Sequence, residues 1–235
     1  MPNYWYKQSG FAVYFIGLTS IFKLTSFYTP FNHFFMKNII CLITLVLGAY
    51  CRLTAQNVAD LELFEAAIKP NAILTYDVTV GGKKHQLIVT LGRVGDDITF
   101  EYKTTEAAAK EGLFWVSANA VSKADALFTV FNGGKVQVDK ETALFISRKM
   151  FNDVATTSAA SIKMGGTADT ATVMSNTISE FNFSVNGNLV AIPGWELEGG
   201  SDIKYTLDVI ESAKFPLIYK LDMGWTMQLV EVKNP

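Results

Sequence analysis

Glu196 and Glu198 stand one residue apart, around Leu197, and Asp202 follows them across Gly199-Gly200. In an extended strand that spacing puts both glutamates on one face, with the aspartate on the turn beyond. Hard oxygen ligands of this kind suit calcium, although the trio lacks the Asp-x-Asp-x-Asp-Gly spacing of a calcium loop. Paired carboxylates facing each other across a cleft would instead support glycoside hydrolysis. Solvation is the ordinary fate of surface acids. Asp96-Asp97 falls at a turn, where aspartate is favoured because its side chain bonds nearby backbone groups.

The remaining polar candidates are sparse. His85 begins a strand just after Gly81-Gly82-Lys83-Lys84, and no Gly-x-Ser-x-Gly elbow exists to give it a serine nucleophile. One histidine does not make a zinc site, so His85 reads as a strand-end residue without a special role. Asn132-Gly133-Gly134-Lys135 and Lys163-Met164-Gly165-Gly166-Thr167 superficially resemble phosphate loops, but neither has the Gly-x-x-x-x-Gly-Lys-Ser/Thr spacing. Both read as turns, and no cofactor is expected.

The apolar inventory says more. Phe114-Trp115 and Trp195 lie beside loops in a chain also rich in Phe128, Phe131, Phe145, Phe181, Phe183, Phe215 and Trp225. Such residues line apolar ligand cavities, which are mostly hydrophobic with a few polar groups. Plain core packing explains them as well.

What must position these residues is a chain of two unlike parts. Residues 1–55 hold no Asp or Glu and only Lys7, Lys23, Lys37 and Arg52 as bases. Residues 56–235 therefore carry 16 Lys+Arg against all 22 Asp+Glu, a net charge of −6. Neither part has the basic footprint of a nucleic-acid binder. Met36-Lys37-Asn38 precedes Ile39-Ile40-Cys41-Leu42-Ile43-Thr44-Leu45-Val46-Leu47-Gly48-Ala49, which has the basic start and apolar run of a secretory signal peptide. A spanning helix takes roughly 20 apolar residues, so this run is short for one. Cleavage is expected after Ala55, making residues 36–55 the signal peptide and residues 56–235 one exported domain, periplasmic or extracellular. Residues 1–35 then read as an upstream extension outside the fold, with translation starting at Met36 rather than Met1. Cys51 offers the alternative of a lipid-anchored lipoprotein, although Tyr50 is bulky for the residue before a lipidated cysteine. Without that anchor, the membrane is met only during export.

The exported part holds neither Cys41 nor Cys51, so it has no thiol chemistry, and its 180 residues suffice for a core without staples. Asn57–Lys69 reads as an amphipathic helix, capped by Asn57, with Asp60 in its first turn and Pro70 at its end. Val58, Leu61, Phe64 and Ile68 share one face. Then the period becomes two. Ile73–Val80, His85–Leu91 and Ile98–Lys103, separated by Gly81-Gly82 and Gly95-Asp96-Asp97, describe an antiparallel meander. Short helices are expected within Ser117–Leu127 and after Ser147, and a mobile loop over Thr157–Asp169. Asn186-Gly187-Asn188 joins two strands as a hairpin, and Leu217–Val232 closes the chain as one long strand or a bent pair. The fold class is mainly β with a few short helices (α+β): a large curved antiparallel sheet or half-open barrel with an N-terminal amphipathic helix.

The Ala55-Gln56 junction behind its leader resembles exported, uncharacterised β-rich proteins of Bacteroidota. The opening helix Asn57–Lys69 followed by Ile73–Val80 and His85–Leu91 resembles in outline the periplasmic lipoprotein carriers. That resemblance implies a curved sheet around an apolar cavity covered by helices, and it assigns no site residues. Three readings follow. The first is a non-enzymatic periplasmic or cell-envelope binding protein for a lipid or other apolar ligand. The second is an envelope structural or adhesion module that binds another protein. The third is a carboxylate-based hydrolase.

Overall fold

Among the described residues, alternation of apolar and polar residues from Ile73 onward builds fourteen strands, and three helices accompany them. The computed structural model describes residues 56–164, 167–174, 179–200 and 204–235. Residues 1–35, residues 36–55, expected from sequence to be a signal peptide and holding Cys41 and Cys51, and Asp202 lie outside the described residues.

The first helix, α1, covers residues 56–67 of the described chain. The meander follows as β1 (Ile73–Val80), β2 (Lys83–Arg93) and β3 (Ile98–Thr104), and β4 (Glu111–Val116) extends it. Tyr76 faces Leu87, and Val89 faces Tyr102, so successive strands stack their apolar residues in register. Each strand thus has one buried face: Leu74, Tyr76 and Val78 on β1, Phe100 and Tyr102 on β3. Helix α2 (Ala118–Lys123) is capped by Ser117, whose hydroxyl accepts from the Ala120 N–H at 3.2 Å. After it come β5 (Ala126–Leu127), β6 (Gly134–Val138) and β7 (Glu141–Thr142). Helix α3 (Arg148–Thr157) is capped by Ser147, as its sequence position predicts, through Met150 N–H at 3.1 Å.

The expected loop over Thr157–Asp169 is instead a hairpin, β8 (Ala159–Met164) and β9 (Thr167–Val173), which pair antiparallel. Its residues are small, which hides the strand character, yet Ala160, Ile162 and Met164 alternate into the core. The second half contains β10 (Ser179–Val185), β11 (Asn188–Gly199), β12 (Tyr205–Ile210), β13 (Ile218–Asp222) and β14 (Thr226–Lys233). Asn186 and Gly187, at φ 51° and 82°, make the tight turn that their types predict. The closing segment is the bent pair, turning at Gly224 with φ 85°.

Strand order is β6-β4-β3-β2-β1-β14-β13-β12-β11-β9-β8-β5-β7. The chain closes on itself through β10, which pairs antiparallel with the first half of β11 and in parallel with the end of β14. Strands β10 to β14 therefore form a closed five-stranded barrel, and the other strands extend its sheet on two sides. Phe181 stacks on Tyr219 at 4.6 Å, and Phe183 meets Phe64 of α1 edge-on at 5.8 Å. Asp60 of α1 is buried and accepts from the Ala191 N–H at 2.9 Å. Asn57, read from sequence as the cap, lies within the helix, and its amide donates to Glu180 at 2.8 Å. The opening helix is fastened by side chains reaching the β10–β11 hairpin.

Candidate functional site

The buried face of β1, β2 and β14 runs toward one end of the sheet without being fully covered. Val78 on β1 is register partner to His85 on β2 and to Met227 on β14. Leu87 stands next along β2, opposite Thr104 on β3. Facing these strands is the irregular segment Thr129-Val130-Phe131-Asn132, and Trp225 comes from the β13–β14 turn. Between them lies an open recess of about 280 Å³, whose lining also includes Val80, Glu106 and Lys110. Val78, Leu87 and Met227 are buried, while Val80 and Val130 remain 48% and 49% exposed. The apolar surface of the core thus continues out to solvent through these two valines.

The wall opposite the strands is anchored. Phe131 packs edge-on against Tyr102 at 5.1 Å, and the Tyr102 hydroxyl accepts from the Gly133 N–H at 2.7 Å. The rim is polar and internally paired. Lys110 Nζ lies 3.7 Å from Glu106 Oε1 and donates to Asn132 Oδ1 at 3.2 Å. Thr104 donates its hydroxyl to Glu106 at 3.3 Å and accepts from the Lys110 N–H at 2.9 Å. An apolar floor with a few polar groups at the mouth is the usual composition of a small-molecule site. His85, given no role by sequence, lines this recess.

The aromatic residues singled out from sequence are dispersed. Phe114 is fully buried, stacked on Phe100 at 5.0 Å and edge-on to Phe128 at 5.0 Å. Its neighbour Trp115 points to the opposite face of β4, 43% exposed, and its indole N–H donates to Asp97 at 3.2 Å. Trp195 is partly buried against Phe151 of α3 at 4.9 Å. None of the three lines the recess. Phe131, Trp225 and Val130 line it, and they reach it from an irregular segment and a turn, where periodicity gives no guide.

The acids are arranged differently from the sequence pairing. Glu196 and Glu198 share a face of β11, but Glu196 is opposite Asp208 on β12 and Glu198 is opposite Thr206. Lys220 on β13 is the register partner of Asp208 on its other side. Burial, with Glu196 beside it, pushes the Asp208 carboxyl up to about 6 against the smaller opposing effect of Lys220. Asp208 therefore keeps its own proton into mildly acidic solution. Glu198 lines a shallow polar recess with Asp169, Thr170, Thr172 and Lys204. Among the described residues, no group of three His, Cys, Asp or Glu side chains is placed to hold a metal ion.

Comparison of the chain with protein-family models, with curated proteins and with solved structures gives no match.

Proposed function

We propose that this protein is an exported, non-enzymatic binding protein of the periplasm or cell envelope that takes a lipid or another apolar molecule into the recess beside His85. The observation that carries this reading is the continuity of buried and exposed apolar surface from Leu87 and Met227, through Val78, to Val80 and Val130. Surface of that kind is stabilised when a ligand removes it from water, by roughly 25 cal/mol for each Å² covered. The recess is small beside the 300–1,000 Å³ of drug-sized sites, which suits the end of a chain or a single ring. Native mass spectrometry after gentle purification should show a bound hydrophobic molecule. Its loss in Val130→Glu, which puts a charge at the mouth, would locate it. A protein that emerges empty and binds no apolar probe would remove the reading.

A second reading, an envelope module that binds another protein, is favoured by a different surface. Leu113 and Trp115 are exposed on the outer face of β4, and β6, beside it, is the last strand on that side of the sheet among the described residues. Free edges of this kind accept strands from partners. Cross-linking in the envelope would then capture one dominant partner through Trp115.

A further inference from the structure

The charges at the mouth of the recess bear on which apolar molecule enters it, an inference that rests on the binding reading above. Lys110 and Glu106 are the ammonium and carboxylate of the lining, and they are paired with each other at 3.7 Å. The pair is further held by Asn132 on the lysine side and Thr104 on the glutamate side. Thr104 is buried and also accepts from the Lys110 backbone, so the pair is seated on the end of β3 rather than waving in solvent. The remaining polar lining, His85, Thr129 and Asn132, offers hydrogen-bonding groups around an apolar floor.

We infer that the ligand is an uncharged amphiphile, a chain or ring bearing hydroxyl or ester groups, bound tail-inward with its head hydrogen-bonded at the Glu106–Lys110–Asn132 rim. The reason is one of charge balance. A carboxylate head arriving at Lys110 must displace Glu106 or sit beside it, and a cationic head meets the same conflict at Lys110. Displacing one member of a held ion pair leaves its partner uncompensated, which for a partly exposed pair beside apolar surface costs a few-fold in affinity. A hydroxyl or ester group joins the rim without breaking it, because the Asn132 amide and the Glu106 carboxylate both keep free hydrogen-bonding capacity.

Calorimetric titration of the full chain, as processed by the expressing cell, tests this with three twelve-carbon probes below their micelle concentrations. These are monododecanoylglycerol, dodecanoate and dodecyltrimethylammonium. The glyceride is expected to bind more tightly than either ion by roughly two- to fivefold, the scale on which a partly exposed ion pair contributes. In Glu106→Gln the dodecanoate affinity should rise toward that of the glyceride, and in Lys110→Met the cation should gain instead. Both side chains are partly exposed, at 34% and 41%, and a thermal melt of each variant, rather than its binding, checks that it still folds. Dodecanoate binding as tightly as the glyceride, with no change in Glu106→Gln, would overturn the inference and leave the binding reading standing. Failure of all three probes to bind would overturn both.

Discussion

Glu196 on β11 and Asp208 on β12 are register partners, two carboxylates side by side on one face with Lys220 beyond Asp208 on the next strand. Directly opposed like charges destabilise a sheet pair. Burial is the larger cause, the Glu196 charge adds to it, and the Asp208 carboxyl rises to about 6. A carboxyl raised on folding binds its proton more tightly in the folded state, so the stability it contributes is complete below the unfolded value near 3.9. It is lost as pH rises through about 6. Glu211, also raised by burial, acts in the same direction.

The protein should therefore lose thermal stability between pH 4.5 and pH 7.5. Asp208→Asn, which removes the titration and keeps the shape, should be the more stable protein at pH 7.5 by about 1 kcal/mol. That figure is kept small because the group is partly solvated and its interactions are screened. At pH 4.5 the two should differ little. Denaturant titrations at both values check this, and a variant equally shifted at both would show that Asp208 acts through something other than its charge.

Val130 and Phe131 divide the work of the recess wall. Val130 is half exposed, and Phe131 packs on Tyr102. Val130→Glu is expected to stay within about 0.5 kcal/mol of the parent in stability, the range of ordinary surface changes, while abolishing binding of an apolar dye. Phe131→Ala should weaken both, costing about 2 kcal/mol or more through lost packing. Dye titration and thermal melts on the same samples separate the two effects.

Asp60 fastens α1 to the barrel. Its carboxylate accepts from the Ala191 N–H at 2.9 Å and from the Gln56 amide at 2.8 Å, and the residue is 7% exposed. Asp60→Ala leaves the Ala191 donor without that partner, at a cost of about 1–3 kcal/mol. Hydrogen exchange should show the Ala191 amide and the α1 backbone losing protection before the rest of the barrel does. Uniform loss across all strands would mean that the helix is not a separately fastened unit.

The residues that set the fold were largely readable. Alternation through Leu74, Tyr76 and Val78, and again through Phe100 and Tyr102, announces the meander, and Ser147 announces its helix. The β8–β9 hairpin was obscured because Ala159, Ala160 and Ser161 have little strand character of their own; the sheet beside them supplies it. The recess was less legible. Two of its residues, Val130 and Phe131, sit on irregular backbone, and their meeting with Val78 and Leu87 depends on tertiary crossing rather than on any spacing along the chain. Glu196 was visible as an acid on a polar face, but its partner Asp208 is fixed by the β11–β12 register, and Glu198 two residues away is not the neighbour that matters.

Gly194 explains why β11 has a gap in its side chains at the place where β10 and β12 meet it. The residue is paired with Ser179 on one side and Ile210 on the other. A Cβ built there would run into the ring of Phe181 and the carbonyl oxygen of Val209. The ring has little freedom to move aside, because it is stacked on Tyr219, whose hydroxyl is held by Gln228 at 2.8 Å. The strand must also keep its distance from Val209, since β11 and β12 are hydrogen-bonded on either side of this point. Gly194→Ala should therefore cost about 1–3 kcal/mol, the usual penalty for forcing extra volume into a packed site. Gly95 is a fitting control: it meets nothing within 4 Å and has no left-handed backbone, so Gly95→Ala should leave stability nearly unchanged. The double variant Gly194→Ala with Phe181→Leu, which trades the ring for a smaller side chain, should recover part of the loss if the ring is the main obstacle. No recovery in denaturant unfolding would assign the clash to the Val209 carbonyl instead, and with it the closeness of β11 and β12 at this point of the barrel.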